Sequence, residues 1–118
     1  MTDMITPLQV ENAIREVANR IARSVKVCDE RYRAFLTADR EYEQAFAHAY
    51  LDCDGPAHEK KYSAEIATKV EREARDVTDA AYRYADRLSK ALQDELRAYQ
   101  SVGASVRAQY AVAGRGEI

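Results

Sequence analysis

From Leu8 to Asp54 the chain contains neither proline nor glycine, and the same holds from Ala57 to Val102; Gly55-Pro56 is the only strong break between the two stretches. β-rich and loop-rich domains need turn residues far more often than this. Two long helices joined by one tight turn need them once. The composition agrees. Of 118 residues 21 are Ala, while Ile, Val, Leu and Phe together number 22, too thin a supply of large side chains to fill a deep globular core. Strong helix formers dominate instead. The net charge of −2 separates the chain from disordered sequences, which combine low hydrophobicity with high net charge. The sequence therefore predicts an all-α fold and a single helical domain over 1–118. It comprises a helix over about 7–52, a turn over about 53–56, a helix over about 57–113 and a short tail over 114–118.

Thr6-Pro7-Leu8-Gln9 reads as the first helix start: Thr6 caps, Pro7 suits the first helical position and Gln9 completes a capping box. Apolar or small residues then recur at Val10, Ile14, Val17, Ile21, Val25, Cys28, Tyr32, Phe35, Tyr42, Phe46 and Ala49, with Asp39 as a polar interruption. A mean step near 3.5 is the spacing of a coiled-coil seam. Helix propensity dips at Val27-Cys28-Asp29, where a kink or a break is expected. In the second helix the stripe reads Tyr62, Ile66, Val70, Ala74, Val77, Ala81, Tyr84, Leu88, Leu92, Leu96, Tyr99, Gly103, Val106, Tyr110 and Ala113, with a mean step near 3.64. Ser101 to Ser105 is a small-residue patch that marks either a close backbone approach or a bend. Gly114-Arg115-Gly116 is expected to end the helix.

A short turn forces long helices antiparallel, with residue i beside about residue 110 − i. One such hairpin buries only a narrow seam, against an ordering cost on the order of 100 kcal/mol. Further burial between copies, in a homo-oligomeric helical bundle with coiled-coil character, is the expectation. No membrane span is present. The opening residues carry no signal-peptide pattern, so the cytoplasm is the expected compartment, with Cys28 and Cys53 as reduced thiols.

Charge is sorted along the chain. Residues 15–40 carry a local +3, 41–79 a local −5 and 80–118 a local +2. The open end of the hairpin thus gathers Arg15, Arg20, Arg23, Lys26, Arg97, Arg107 and Arg115. Such a basic surface can hold a phosphate backbone, although charges opposite a seam also form an ordinary solvated face. Tyr beside Arg is the pairing with which single-strand binders stack bases and hold phosphates. Tyr84, Tyr99 and Tyr110 fit the seam spacing and read as core. Tyr82 falls off it and is the stacking candidate.

Catalytic patterns are missing. There is no Gly-rich phosphate loop, no His-Glu-x-x-His and no Cys-x-x-Cys. His48, Asp52, Cys53, Asp54 and His58 cluster near the turn, but their spacing does not converge on a metal, and an acidic solvated turn explains them. The carboxylate pairs Glu41/Glu43 and Glu71/Glu73 do not share a helix face. No enzyme, metal or cofactor is expected.

The segment Leu96-Arg97-Ala98-Tyr99-Gln100-Ser101-Val102-Gly103-Ala104-Ser105-Val106-Arg107, with Ala80-Ala81-Tyr82-Arg83-Tyr84-Ala85 before it, resembles small helical phage proteins of homologous recombination, the UvsY-type recombination mediators. The likeness covers about residues 30–110. It implies a homo-oligomeric accessory factor that binds single-stranded DNA and helps load a recombinase onto DNA coated with single-strand-binding protein. It places Ser101, Gly103 and Arg107 in that family's small-residue and basic segment. The chain departs from the family in charge, with a pI near 5.7. The expected DNA contacts are Arg15, Arg20, Arg23, Arg97 and Arg107 on phosphates and Tyr82 on bases. A different class of function fits the same letters: a protein-binding helical adaptor, scaffolding protein or DNA mimic acting in host takeover, working through its seam or its acidic turn (Asp52, Asp54, Glu59, Glu65).

Overall fold

The computed structural model describes residues 4–116, with the side chains of Arg115 and Gly116 left out. It is an all-α helical hairpin of three segments: α1 (Pro7–Asp52), α2 (Ala57–Ala67) and α3 (Lys69–Gly116). The capping box forms as the sequence predicts. The Thr6 N–H donates to Gln9 Oε1 at 2.9 Å, and the Gln9 N–H donates back to Thr6 Oγ1 at 3.2 Å. At the turn, Gly55 takes φ +150°, a region that essentially only glycine occupies. The Pro56 carbonyl then accepts from the Glu59 and Lys60 N–H groups at 3.0 and 3.1 Å, which starts α2.

Four expectations are corrected. α1 is unbroken at Val27-Cys28-Asp29; Arg33 Nε pairs with Asp29 at 3.0 Å, one turn on, and supports that stretch. The helix expected over 57–113 is instead interrupted at Thr68 (φ −110°, ψ 21°). The cause is local: Thr68 is buried, and its hydroxyl donates at 2.6 Å to the Ala64 carbonyl, which also accepts the Thr68 N–H at 3.1 Å. Back-bonding of this kind bends helices. At the far end the helix continues through Gly114 to Gly116 rather than stopping near Ala113; residues 117–118 of the expected tail, like residues 1–3, lie outside the described residues. The pairing register also moves. Lys60 lies over the Tyr50 ring, as a fold-back summing to 110 requires. Beyond Thr68, however, Tyr32 meets Tyr82 and Ser24 meets Ser89, three to four residues later on α3. The extra residues are taken up between the turn and Thr68, where α2 runs as a separate segment.

Contacts divide the chain into two compact units, one formed by the chain up to Lys26 and from Arg87 onward, the other by Val27–Asp86. In the first, Val10, Val17, Leu92 and Val106 are buried. Gly103 belongs to the same contact: a Cβ there would lie 3.2 Å from Val10 Cγ1. Of the two readings of the 101–105 patch, the close approach is the one realised. Ser24 and Ser89 form a polar layer; their hydroxyls lie 3.0 Å apart and Ser24 donates to the Ile21 carbonyl at 2.6 Å. The buried side of α1 is thus Ser24 and Ala38, not Val25, which is 64% exposed.

In the second unit the buried residues are small, Ala38, Ala64, Thr68 and Ala85. Half-buried beside them are Phe35, Tyr42 and Phe46 on α1 and Glu71, Arg75, Thr78 and Tyr82 on α3, with Arg75 stacked on the Tyr42 ring at 4.6 Å and 3.9 Å from Asp39. The apolar residues that the spacing assigns to this seam face out instead: Tyr62, Ile66, Val70, Val77 and Tyr84 are all 62–78% exposed. The physical reason is the difference in period. The first helix repeats every 3.5 residues, and a partner packed along it must bury positions at the same period. An apolar stripe with a step of 3.64 keeps to that seam from Leu92 to Val106. Two successive steps of four, Leu92 to Leu88 to Tyr84, then set it one residue, or about 100°, off the heptad positions Ser89 and Ala85, and it stays one residue off back to Val70.

Candidate nucleic-acid interface

All five arginines expected at DNA belong to the first unit, but they do not form one surface. In an antiparallel pair, residues that follow a seam position on either helix point to the same side, and residues that precede one point to the other. Arg15 follows Ile14, Arg97 follows Leu96 and Arg107 follows Val106, so these three share one side. Arg20 and Arg23 precede Ile21 and Ser24 and lie on the opposite one. A groove of 190 Å³ lined by Pro7, Val10, Glu11, Ile14, Gly103 and Arg107 marks the first side.

The two groups differ in how much of their charge is free. Arg15 Nη2 is 3.4 Å from Glu11, and Arg97 Nη1 is 2.8 Å from Asp94. The Arg107 guanidinium folds back towards Gly103. By contrast Arg20, Arg23 and Lys26 are exposed and make no ion pair among the described residues. Spaced three apart, they form one ridge along α1 with neighbouring Cβ atoms about 5–6 Å apart. Arg115 lies outside the described side chains. The first unit's sequence carries nine basic and six acidic residues, and the second nine basic and fourteen acidic, so the net charges are +3 and −5.

Tyr82 is not where the spacing puts it. It belongs to the second unit, inward on α3, with its ring 5.1 Å from that of Tyr32 at a tilt of 52°. Tyr84, expected in the seam, is 70% exposed. The one-residue offset of the stripe exchanges the two, so the exposed ring is Tyr84, which also belongs to the second unit. Tyr99 lies in the seam as expected.

Around the turn, His48, Asp52, Cys53, Asp54 and His58 do not converge. No group of three or more His, Cys, Asp or Glu among the described residues is placed to hold a metal ion. Cys28 and Cys53 are free and half-buried. No described helix is long and apolar enough to cross a membrane. Spacing alone missed two features: the Ser24–Ser89 layer, and Glu71, whose Oε2 is buried with no hydrogen-bond partner among the described residues. Both occupy heptad positions, so the α1 period carried forward onto α3 would have located them. No protein-family model matches the chain, and no curated protein or solved structure matches it.

Proposed function

We propose that this chain is a non-enzymatic binding protein that holds the phosphate backbone of single-stranded DNA along α1 of its basic unit. In this reading it serves as a recombination or replication accessory factor that helps load a recombinase, like the mediators its sequence resembles. The observation that carries the reading is the ridge of Arg20, Arg23 and Lys26, exposed and without acidic partners among the described residues, in the unit that holds the chain's positive charge. Polyanion binding needs such uncommitted cations, because each phosphate contact draws its free energy from counterion release. Arg15 and Arg97, already matched by Glu11 and Asp94, contribute less.

The test is binding to a fluorescent oligonucleotide as a function of salt. Arg20→Glu/Arg23→Glu should weaken binding at low ionic strength and reduce the salt slope by about 1.4, two single-strand phosphate contacts' worth. Helicity should be unchanged. Binding that is absent in the parent protein, or indifferent to the double change, would sink the proposal.

A second reading, a helical adaptor or DNA mimic that engages a basic protein, is favoured by the −5 charge of the second unit. Competition separates the two, since a mimic displaces DNA from its target protein and binds none itself.

A further inference from the structure

In the second unit the helices close on small residues, Ala38, Ala64, Thr68 and Ala85, with Asp39, Glu71, Arg75 and Thr78 half-buried beside them, while Tyr62 (62%), Ile66 (78%), Val70 (75%), Val77 (68%) and Tyr84 (70%) stand in the open. Ala74 continues this outward stripe and the half-buried Ala81 lies at its edge, both at helical spacing. The five large side chains present on the order of 600 Å² of mostly apolar surface, the upper end of what a monomer's largest patch exposes. The chain as a whole exposes 9105 Å², against about 6,450 Å² for a typical folded monomer of its mass. Large apolar side chains turned outward while small and half-buried polar residues line the interhelical seam is a conflict between pattern and fold that a lone chain leaves unresolved.

The stripe is self-complementary. Laid antiparallel on itself about a two-fold axis near Glu73-Ala74, it brings residues whose numbers sum to about 147 face to face. Val70 then meets Val77 of the copy, Ile66 meets Ala81 and Tyr62 meets Tyr84. The charges beside the stripe follow the same rule. In an antiparallel pair the flanks on the same side of the seam meet, which sets Lys69 near Asp76 of the copy and Glu65 near Arg83. Both of these pairings join opposite signs, while Glu73, beside the axis, faces its own copy. An isologous contact has this property, since i meets j and j meets i. The roughly 1,200 Å² it buries over both copies reaches the lower bound of stable interfaces.

We propose that the outward face of α2 and α3 in the second unit is covered by the same face of a second copy, packed antiparallel about residues 73–74. This interface does not depend on the phosphate-binding ridge, whose residues Arg20, Arg23 and Lys26 lie in the other unit.

The test is molar mass by light scattering and sedimentation from 5 to 500 μM. The parent protein should shift from monomer to dimer within that range. Val77→Glu places a charge opposite Val70 of the copy at a position that is already exposed, so the fold is retained, and it should weaken dimerisation at least tenfold with the circular dichroism unchanged. Lys69→Glu and Asp76→Lys should each weaken the dimer, and the double exchange should restore it, a rescue specific to this register. In a Cys28→Ser/Cys53→Ser background, Ala74→Cys should oxidise to a disulfide-linked dimer, because position 74 lies beside its own copy. A protein that stays monomeric at 500 μM overturns the proposal. So does a dimer unaffected by Val77→Glu, or a charge exchange that fails to rescue.

Discussion

Gly103 offers the sharpest test of how the first unit is held together. A Cβ at this position would sit 3.2 Å from Val10 Cγ1 and 3.9 Å from Ile14 Cδ1, and Val10 is only 5% exposed and has little room to retreat. Gly103→Val adds three carbons into that contact. In an exposed helix the change would be mildly favourable, because valine outranks glycine in helix propensity by a few tenths of a kcal/mol. Here overpacking costs about 1–3 kcal/mol and outweighs that gain. A net loss of about 2 kcal/mol lowers the melting temperature of a chain this size by about 8 °C. The assay is thermal melting followed by circular dichroism at one fixed concentration, so that self-association does not enter the comparison. Gly114→Val is the control: nothing lies within 4 Å of a Cβ there, and its melting temperature should hold or rise. Val10→Ala should cost less in the Gly103→Val background than in the parent, giving a coupling of about 1 kcal/mol. If Gly103→Val melts within 2 °C of the parent, α1 does not pack on α3 at this point.

Two further outcomes follow from the polar seam. Glu71→Leu removes a buried oxygen that has no hydrogen-bond partner among the described residues; because the side chain is only half-buried, a gain of about 1 kcal/mol is expected, seen as a rise of about 4 °C in the same melt, and a loss of stability would contradict the placement. Ser24→Ala and Ser89→Ala, which break the 3.0 Å hydroxyl pair, should couple by about 1 kcal/mol in a double-mutant cycle measured by urea denaturation, with additivity as the contrary result.

Much of the fold was legible in the sequence because its punctuation is so sparse. Thr6, Pro7 and Gln9 set the start of α1, and Gly55-Pro56 set the turn, each through chemistry that acts within four residues. The first unit's seam was legible too, since the apolar stripe and the heptad contact coincide from Leu92 to Val106. In the second unit hydrophobicity was the wrong guide. The choice between Tyr82 and Tyr84, or between Ser24 and Val25, is decided by the period at which two helices stay in contact, and that is a property of the pair. Thr68 broke the second helix through a side-chain hydrogen bond that no propensity scale registers. At the candidate interface, the arginines were legible as a group from charge sorting. Their split into paired residues on one side and the Arg20–Arg23–Lys26 ridge on the other depends on where Glu11 and Asp94 fall relative to the seam.

The seam position itself can be measured directly by engineered disulfides within one chain. In a Cys28→Ser/Cys53→Ser background, Ser24→Cys/Ser89→Cys places thiols where two hydroxyls now lie 3.0 Å apart, and Val25→Cys/Leu88→Cys places them on the outward positions one residue away. Under mild oxidation in dilute solution, the 24/89 pair should close to an intramolecular disulfide within minutes while the 25/88 pair stays reduced, read as a 2 Da mass loss and protection from alkylation. Rapid closure of 25/88 with 24/89 left open would put the apolar stripe in the seam and contradict the account.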